Sequence, residues 1–96
     1  MEIREFQDLI EAIYGRRDRS RGAAGTFMWF TEEVGELASA LRTKDHANLE
    51  EEFADVFAWM STLASIAGVD LERAIDKYRA GCPYCGRTPC ECPEKA

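Results

Sequence analysis

The chain has 96 residues, and its 12 Lys or Arg against 18 Asp or Glu give a formal net charge of -6 at pH 7. This length allows one domain with one hydrophobic core, and a domain this small leaves enough apolar surface uncovered to favour association with a second copy. The acidic balance argues against a protein of duplex nucleic acid, because phosphate contacts need a cationic face. The whole charge excess lies between residues 32 and 55, where eight acids face two bases.

The sequence contains no obvious membrane or export segment. Its longest run without a charge, residues 56–69, has 14 residues, fewer than the roughly 20 that a membrane-spanning helix needs. The first five residues include three charged ones, where a secretion signal would have its apolar segment. The sequence therefore predicts a cytoplasmic protein with no membrane partner.

Two helices are predicted in the first half of the chain. Apolar residues recur at helical spacing over residues 2–14, which predicts an amphipathic helix that ends at Gly15. Residues 16–25 hold four arginines and two glycines, so we expect a basic loop there. The helical period then returns and predicts a second helix, with the cations Arg42 and Lys44 in its last turn.

Two more helices are predicted in the second half. Asp45 or Asn48 is expected to cap a third helix, which runs to Ala67 and stops at Gly68. Its apolar residues lie on more than one side, so we expect a second copy of the chain as a neighbour. Asp70 is expected to cap a fourth helix. Its predicted inward residues are Leu71, Ala74, Ile75 and Tyr78. Since no segment alternates like a strand, the fold class is all-α, a four-helix bundle over residues 1–81.

The second and third helices carry the same acidic phrase, 19 residues apart. Residues 32–37 read Glu-Glu-Val-Gly-Glu-Leu, and residues 51–56 read Glu-Glu-Phe-Ala-Asp-Val. At about 100° per residue, the second and fifth residues of each phrase flank the apolar stripe at the same angle. If the helices pack antiparallel, as a short connection requires, these four carboxylates converge. They are Glu33, Glu36, Glu52 and Asp55.

A cluster of four carboxylates predicts a metal site. The acids repel one another and raise one another's pKa unless a cation neutralises them. An all-oxygen donor set suits Mg²⁺, with Mn²⁺ as an alternative, and such ions commonly bind nucleotide phosphates. A di-iron bundle would need Glu-x-x-His motifs on its helices, whereas the single histidine, His46, is expected in a loop.

The paired phrases, Glu-x-x-Glu followed by Glu-x-x-Asp, resemble the signature of the MazG-like, all-α nucleotide pyrophosphohydrolases. The resemblance extends over residues 1–80. It implies that a nucleoside triphosphate is hydrolysed between its α and β phosphates to a monophosphate and pyrophosphate, in a dimer or tetramer. The related phosphoribosyl-ATP pyrophosphatases match less well, because their lysine ahead of the first acidic motif is missing here. The Mg²⁺ ligands implied by the resemblance are Glu33, Glu36, Glu52 and Asp55.

Other residues are candidates for proton transfer and nucleotide binding. Glu32 or Glu33 is expected to be the general base that accepts a proton from water. Trp29 is placed to stack on a nucleobase, although an aromatic residue at helical spacing more often fills a core. Cations should balance the phosphate charge. The candidate cations are Arg42, Lys44 and the arginines of residues 16–21, including Arg21.

All four cysteines lie in the last 15 residues. Cys82 and Cys85 form a Cys-x-x-Cys pair followed by Gly86, and Cys90 and Cys92 form a second close pair. Together they predict a structural, tetrahedral Zn²⁺ site in a separate tail, residues 82–96. Disulfides and an iron–sulfur cluster are the alternatives, and a cytoplasmic location argues against the disulfides.

Two functions fit these observations. The first is a Mg²⁺-dependent nucleoside triphosphate pyrophosphohydrolase that controls or sanitises a nucleotide pool. The second is a non-catalytic, dimeric zinc-knuckle adaptor or nucleotide sensor. The acidic repeat favours the enzyme, because an adaptor has no need for four acids along one edge of two helices.

Overall fold

The computed structural model describes residues 1–94, and these residues form only helices, turns and irregular segments. Helix α1 is Ile3–Thr43, α2 is His46–Ile66 and α3 is Leu71–Ala74, and a 3₁₀ turn, Ile75–Tyr78, follows α3. The predicted all-α class is confirmed. The last two residues of the predicted tail, 95 and 96, lie outside the described residues.

Helix α1 consists of two arms, residues 3–21 and residues 23–43, which meet at a kink. Gly22 makes the kink with φ 83° and ψ 173°, a conformation that a residue with a Cβ atom rarely adopts. The prediction that the first helix ends at Gly15 and that residues 16–25 form a loop is therefore wrong. Gly15 lowers helix stability by only about 1 kcal/mol relative to alanine, and tertiary contacts of Asp18, described below, hold the following turn helical.

The connection between α1 and α2 consists of Lys44 and Asp45 alone. Lys44 adopts a left-handed conformation with φ 59°, and its N–H donates to the carbonyl oxygen of Ala40. The Asp45 side chain accepts a hydrogen bond from the N–H of Asn48 at 3.4 Å, so Asp45 is the cap of α2. Such a short connection makes the second arm of α1 antiparallel to α2.

The first arm of α1 is fastened to the far end of α2. Gln7 is 7% exposed; its Nε2 donates to the Val69 carbonyl at 2.8 Å, and its Oε1 accepts from the Leu71 N–H at 2.9 Å. At the surface, Arg4 forms an ion pair with Asp70 at 3.0 Å. These bonds hold the first arm against the link between α2 and α3.

The predicted fourth helix is shorter and less buried than expected. Gly68, with φ 74°, terminates α2 as predicted, and Asp70 caps α3 by accepting from two backbone N–H groups. However, α3 is a single turn, and only Leu71 of its predicted inward residues is partly buried. The remaining three are exposed because no other element of residues 1–94 covers them. They are Ala74, Ile75 and Tyr78.

The single chain has a small core. Its buried apolar residues, among those described, are Ile10, Ala40 and Ala64. Six large apolar residues of the predicted stripes remain between 39% and 58% exposed. We call these six residues the exposed stripe: Phe27, Val34 and Leu41 on α1, and Phe53, Phe57 and Met60 on α2.

The helices were compared with the length and composition that a membrane span requires. No single helix of residues 1–94 is long and apolar enough to cross a membrane, and only α2 with the segment Leu71–Tyr78, bent by 94°, passes that test as a pair.

Candidate functional site

Three of the four predicted carboxylates meet where the second arm of α1 faces the first turns of α2. One carboxylate oxygen each from Glu33, Glu36 and Glu52 lies within 4.8 Å of the other two. Asp55 lies one turn after Glu52 on α2 and outside this tight group, but its charge raises the pKa of both Glu33 and Glu52. We call these four residues the acidic cluster.

The acidic cluster is incompletely solvated. The Oε2 atoms of Glu33 and Glu52 are buried and have no hydrogen-bond partner among the described residues. Burial, followed by the charges of Glu36, Asp55 and Glu52, raises the pKa of Glu33 to about 7. Burial and the charges of Glu36 and Asp55 also raise the pKa of Glu52. Such buried, repelling oxygens are the environment that a bound cation would stabilise.

The donor set fits a hard divalent cation. Mg²⁺ binds oxygen ligands at about 2.1 Å in an octahedron, so neighbouring ligands lie about 3 Å apart and opposite ligands about 4.2 Å apart. Oxygens that already lie within 4.8 Å of one another reach these distances with small side-chain rotations. Since all the donors are carboxylates, Mg²⁺ or Mn²⁺ suits them better than a softer metal.

A groove begins beside the acidic cluster, at Asp55. It has a volume of about 230 Å³ and lies between the first arm of α1 and α2. One helical face of each element lines it, because the lining residues recur at intervals of three, four and seven. Those from α1 are Ile10, Tyr14, Arg17, Asp18 and Arg21, and those from α2 are Asp55, Ala58, Trp59 and Thr62.

A buried aspartate organises the groove. Asp18 is 3% exposed and accepts hydrogen bonds from Thr62 Oγ1 at 3.0 Å and from an Arg21 Nη1 at 3.1 Å. The Arg21 guanidinium lies 4.9 Å from the centroid of the Trp59 ring. Trp29 stacks on Trp59 with centroids 6.3 Å apart and an angle of 11° between the planes. Trp29 therefore contacts a lining residue of the groove but is not itself one of the lining residues.

The family model for the MazG nucleotide pyrophosphohydrolase domain matches residues 22–85 of the chain. The chain belongs to the MazG nucleotide pyrophosphohydrolase family. The matched region begins at the kink residue Gly22 and contains both acidic phrases. The first arm of α1 lies before the match, although it lines the groove of the MazG domain. No curated protein matches the chain.

Two of the predicted nucleotide-binding cations, Arg42 and Lys44, are not lining residues of the groove of the MazG domain. Arg42 lies beside Gly35, Ala38 and Ser39 on α1, and Lys44 is in the turn before α2. Of the predicted nucleotide-binding residues, Arg17 and Arg21 line the groove. Within residues 1–94, no Lys or Arg forms an ion pair with the acidic cluster.

Glu32, one of the two candidates for the general base, lies at the edge of the acidic cluster. It is exposed and does not belong to the group of three close carboxylates.

The sequence identified only some of the groove residues. Arg17 was among the candidate cations of residues 16–21 and lines the groove, whereas Asp18 and Thr62 were not predicted at all. Asp18 follows Tyr14 and Ile10 at intervals of four residues, a signal that the expected loop concealed.

The four cysteines of the chain form a second cluster. One sulfur from each lies within 4.8 Å of the other three, and all four thiols are free. The backbone N–H groups of Glu91 and Arg87 lower the pKa of Cys85 to about 6. The cluster could hold a metal ion, and its members are Cys82, Cys85, Cys90 and Cys92.

Proposed function

We propose that the protein is a Mg²⁺-dependent nucleoside triphosphate pyrophosphohydrolase. It would convert a ribonucleoside or deoxyribonucleoside triphosphate and water to the monophosphate and pyrophosphate. The observation that carries this proposal is the pair of buried Oε2 atoms of Glu33 and Glu52, one on each helix of the MazG hairpin, which have no hydrogen-bond partner among residues 1–94. A MazG domain that places unpartnered carboxylates in this way is suited to bind a cation together with phosphate.

The chain's own residues have separate tasks in this reaction. The acidic cluster would hold the ion, with ligands from both α1 and α2. When bound, Mg²⁺ neutralises phosphate charge and lowers the pKa of a water molecule; Mn²⁺ is the alternative ion. A carboxylate of the adjacent pair Glu32 and Glu33 accepts the proton of the attacking water.

The groove supports a nucleotide as the substrate. It opens beside Asp55, so a molecule whose phosphates lie at the acidic cluster has its nucleoside directed into the groove. Tyr14 and Trp59 give the groove aromatic side chains, while Arg17 supplies positive charge beside the ion pair of Arg21 with Asp18. Flat bases and anionic phosphates are complementary to these two features.

We also propose that the active form is a homodimer, or a tetramer built from two dimers. The exposed stripe is too extensive for a small monomer, in which such apolar patches usually mark an interface. The Cα radius of gyration is 15.9 Å, larger than the roughly 12.5 Å of a compact chain of this length. A second copy packed on the exposed stripe would supply the missing core.

The two metal sites differ in chemistry. The soft thiolates of the cysteine cluster favour Zn²⁺, and the hard carboxylates of the acidic cluster favour Mg²⁺. We therefore propose Zn²⁺ for the cysteines and assign that ion no part in the hydrolysis.

Pyrophosphate release from a panel of ribonucleotides and deoxyribonucleotides tests the function. With Mg²⁺ present, Glu36→Gln and Asp55→Asn should each lower kcat/KM by about 100-fold or more, the loss expected when a group that stabilises developing charge is removed. The matched control is Glu50→Gln, an acid of the same α2 whose side chain is 76% exposed. Its activity should equal that of the wild type.

Two results would contradict the proposal. Wild-type rates in both Glu36→Gln and Asp55→Asn would show that the acidic cluster is not the site of reaction. A wild-type protein inactive on every nucleotide of the panel would instead favour a non-catalytic adaptor or nucleotide sensor. Comparing Glu32→Gln with Glu33→Gln then tests the base: if Glu32 is the base, Glu32→Gln lowers kcat while Mg²⁺ affinity is kept, whereas Glu33→Gln removes a ligand and lowers Mg²⁺ affinity in either case.

A further inference from the structure

The four sulfur atoms of the tail lie within 4.8 Å of one another, and the separations of three pairs fit the corners of a tetrahedron. Four thiolates bound to Zn²⁺ at about 2.3 Å lie about 3.8 Å from one another. The sulfur of Cys82 lies 3.6 Å from that of Cys90 and 3.7 Å from that of Cys92, and Cys85 lies 4.0 Å from Cys90. These separations match the tetrahedron and are far longer than a disulfide bond of about 2.05 Å.

The backbone holds the cysteines in this arrangement. The N–H of Gly86 donates to the Cys82 carbonyl at 2.7 Å, and the N–H of Cys82 donates to the Arg87 carbonyl at 3.1 Å. Gly86 turns the chain with φ 73°, a conformation that favours glycine. This tight turn aims the first cysteine pair at one point.

Backbone N–H groups also point at the sulfurs. The N–H of Glu91 lies 3.4 Å from the sulfur of Cys85, and the N–H of Cys92 lies 3.3 Å from the sulfur of Cys90. Such contacts stabilise negative charge on sulfur, as metal-bound thiolates require.

The tail has no apolar core to account for its order. None of residues 81–94 is buried, and they form turns and bends without a helix or strand. Tyr84, the largest apolar side chain there, is 87% exposed. A segment of this size without a core needs a covalent or metal crosslink to keep one conformation, and the thiols here are free.

We infer that Cys82, Cys85, Cys90 and Cys92 form a closed Zn²⁺ site whose ion maintains the fold of the tail independently of the acidic cluster. Four sulfur ligands fill the coordination of Zn²⁺, so water and substrate have no position on it. The binding energy of the ion is then folding energy for the tail. The groove and the cysteine cluster share no residue, so loss of the zinc should leave the helices of the MazG domain folded.

Metal analysis of the full-length protein tests the site. The wild type, purified without chelator, should contain about one zinc per chain, and Cys82→Ser/Cys85→Ser should retain less than about one tenth of it, since a structural site needs all its ligands. Tyr84→Ser, between the two cysteines, is the matched control and should keep its zinc. Glu36→Gln should keep it too, which distinguishes this site from the acidic cluster.

Three results would overturn the zinc site. Iron with inorganic sulfide would identify an iron–sulfur cluster. A protein mass lower than that of the fully reduced chain, by the hydrogens lost on forming one or two disulfides, would identify oxidised cysteines. Zinc retained in Cys82→Ser/Cys85→Ser would place the ion elsewhere. Replacement by Co²⁺ gives an independent readout, because only tetrahedral thiolate coordination produces its intense sulfur-to-cobalt absorption.

Hydrogen exchange tests what the ion does. After zinc removal by a chelator, amides of residues 82–92 should exchange at least about tenfold faster, while those of α2 keep their protection. Unchanged exchange in the tail would show that the ion does not maintain its fold. Simultaneous loss of protection in α2 would show that the tail and the MazG helices are one folding unit. Either result would overturn the inference, and neither bears on the hydrolysis itself.

Discussion

Glu33 is the residue at which burial and repulsion in the acidic cluster are strongest. Its pKa in the fold is about 7, against an ordinary value of 4.5. An acid whose pKa is raised by folding contributes stability that is complete below its unfolded pKa and is lost as the pH rises through its folded pKa. The metal-free protein should therefore lose stability between about pH 4.5 and pH 7, measured as its melting temperature in EDTA.

Two comparisons isolate Glu33 in this titration. Glu33→Gln should flatten the pH profile, whereas Glu50→Gln on the exposed side of α2 should leave it unchanged. Mg²⁺ binds the ionised acids, so its stabilising effect should be larger at pH 8 than at pH 5. A melting temperature indifferent to Mg²⁺ at every pH would contradict a metal site in the acidic cluster.

Asp18 is the residue on which the groove depends. Asp18→Ala should lower the free energy of unfolding by about 2–3 kcal/mol, because it leaves the partly buried Arg21 without its carboxylate. Thr62→Val removes one hydrogen bond to Asp18 and should lower it by about 1 kcal/mol. Urea denaturation measures both. Since Asp18 is the shared partner, the double variant should be less destabilised than the two single effects added.

The kink between the two arms of α1 depends on one residue, Gly22. Gly22→Ala should cost about 1–3 kcal/mol of unfolding free energy, because φ 83° and ψ 173° are strained for any other residue. No atom lies within 4 Å of the added Cβ, so the cost is backbone strain and not a clash. Gly35→Ala is the matched control.

Gly35 also has open space around an added Cβ, but it lies inside a helical arm. The alanine there should raise the unfolding free energy by about 0.5–1 kcal/mol, in the opposite direction to Gly22→Ala. Equal effects at the two positions would contradict the kink.

The elements that local sequence determines could be predicted, and those that distant contacts determine could not. The acidic phrases lie on helices whose apolar period is uninterrupted, and the short turn at Asp45 makes those helices antiparallel. Both facts can be deduced from neighbouring residues. Gly15 and Gly22, in contrast, give the same local signal. The bond of Asp18 to Thr62, 44 residues away, is a distant contact that favours a helix through the first glycine.

Burial shows the same limit. The apolar stripes of α1 and α2 were recognised from their spacing, but spacing does not show whether the same chain or a second copy covers them. The sequence predicted a core, whereas a single copy leaves Phe27 and Phe53 more than half exposed. The closeness of Glu33 to Glu52 was deducible from the hairpin, while the burial of their Oε2 atoms required the packed structure.

At the scale of the whole molecule, the exposed stripe predicts self-association. Light scattering after size exclusion should give at least twice the chain mass of 10.8 kDa. Leu41→Glu, which places a charge on the exposed stripe, should shift the protein towards the monomer at the same concentration. Tyr84→Glu changes a more exposed residue, in the tail and outside the exposed stripe, and should not. A wild type that remains monomeric at high concentration would contradict the proposed dimer.

The short turn at Lys44 and Asp45 also has a consequence for the order in which the chain folds. The contacts around this turn are nested: Glu33 approaches Glu52 across 19 residues, and Asp18 bonds Thr62 across 44. Outermost, Gln7 bonds Val69 across 62. Each inner contact shortens the loop that the next contact must close. The entropic cost of loop closure is therefore divided among several small steps. The acidic cluster would assemble first and the groove afterwards, as contacts form progressively farther from the turn.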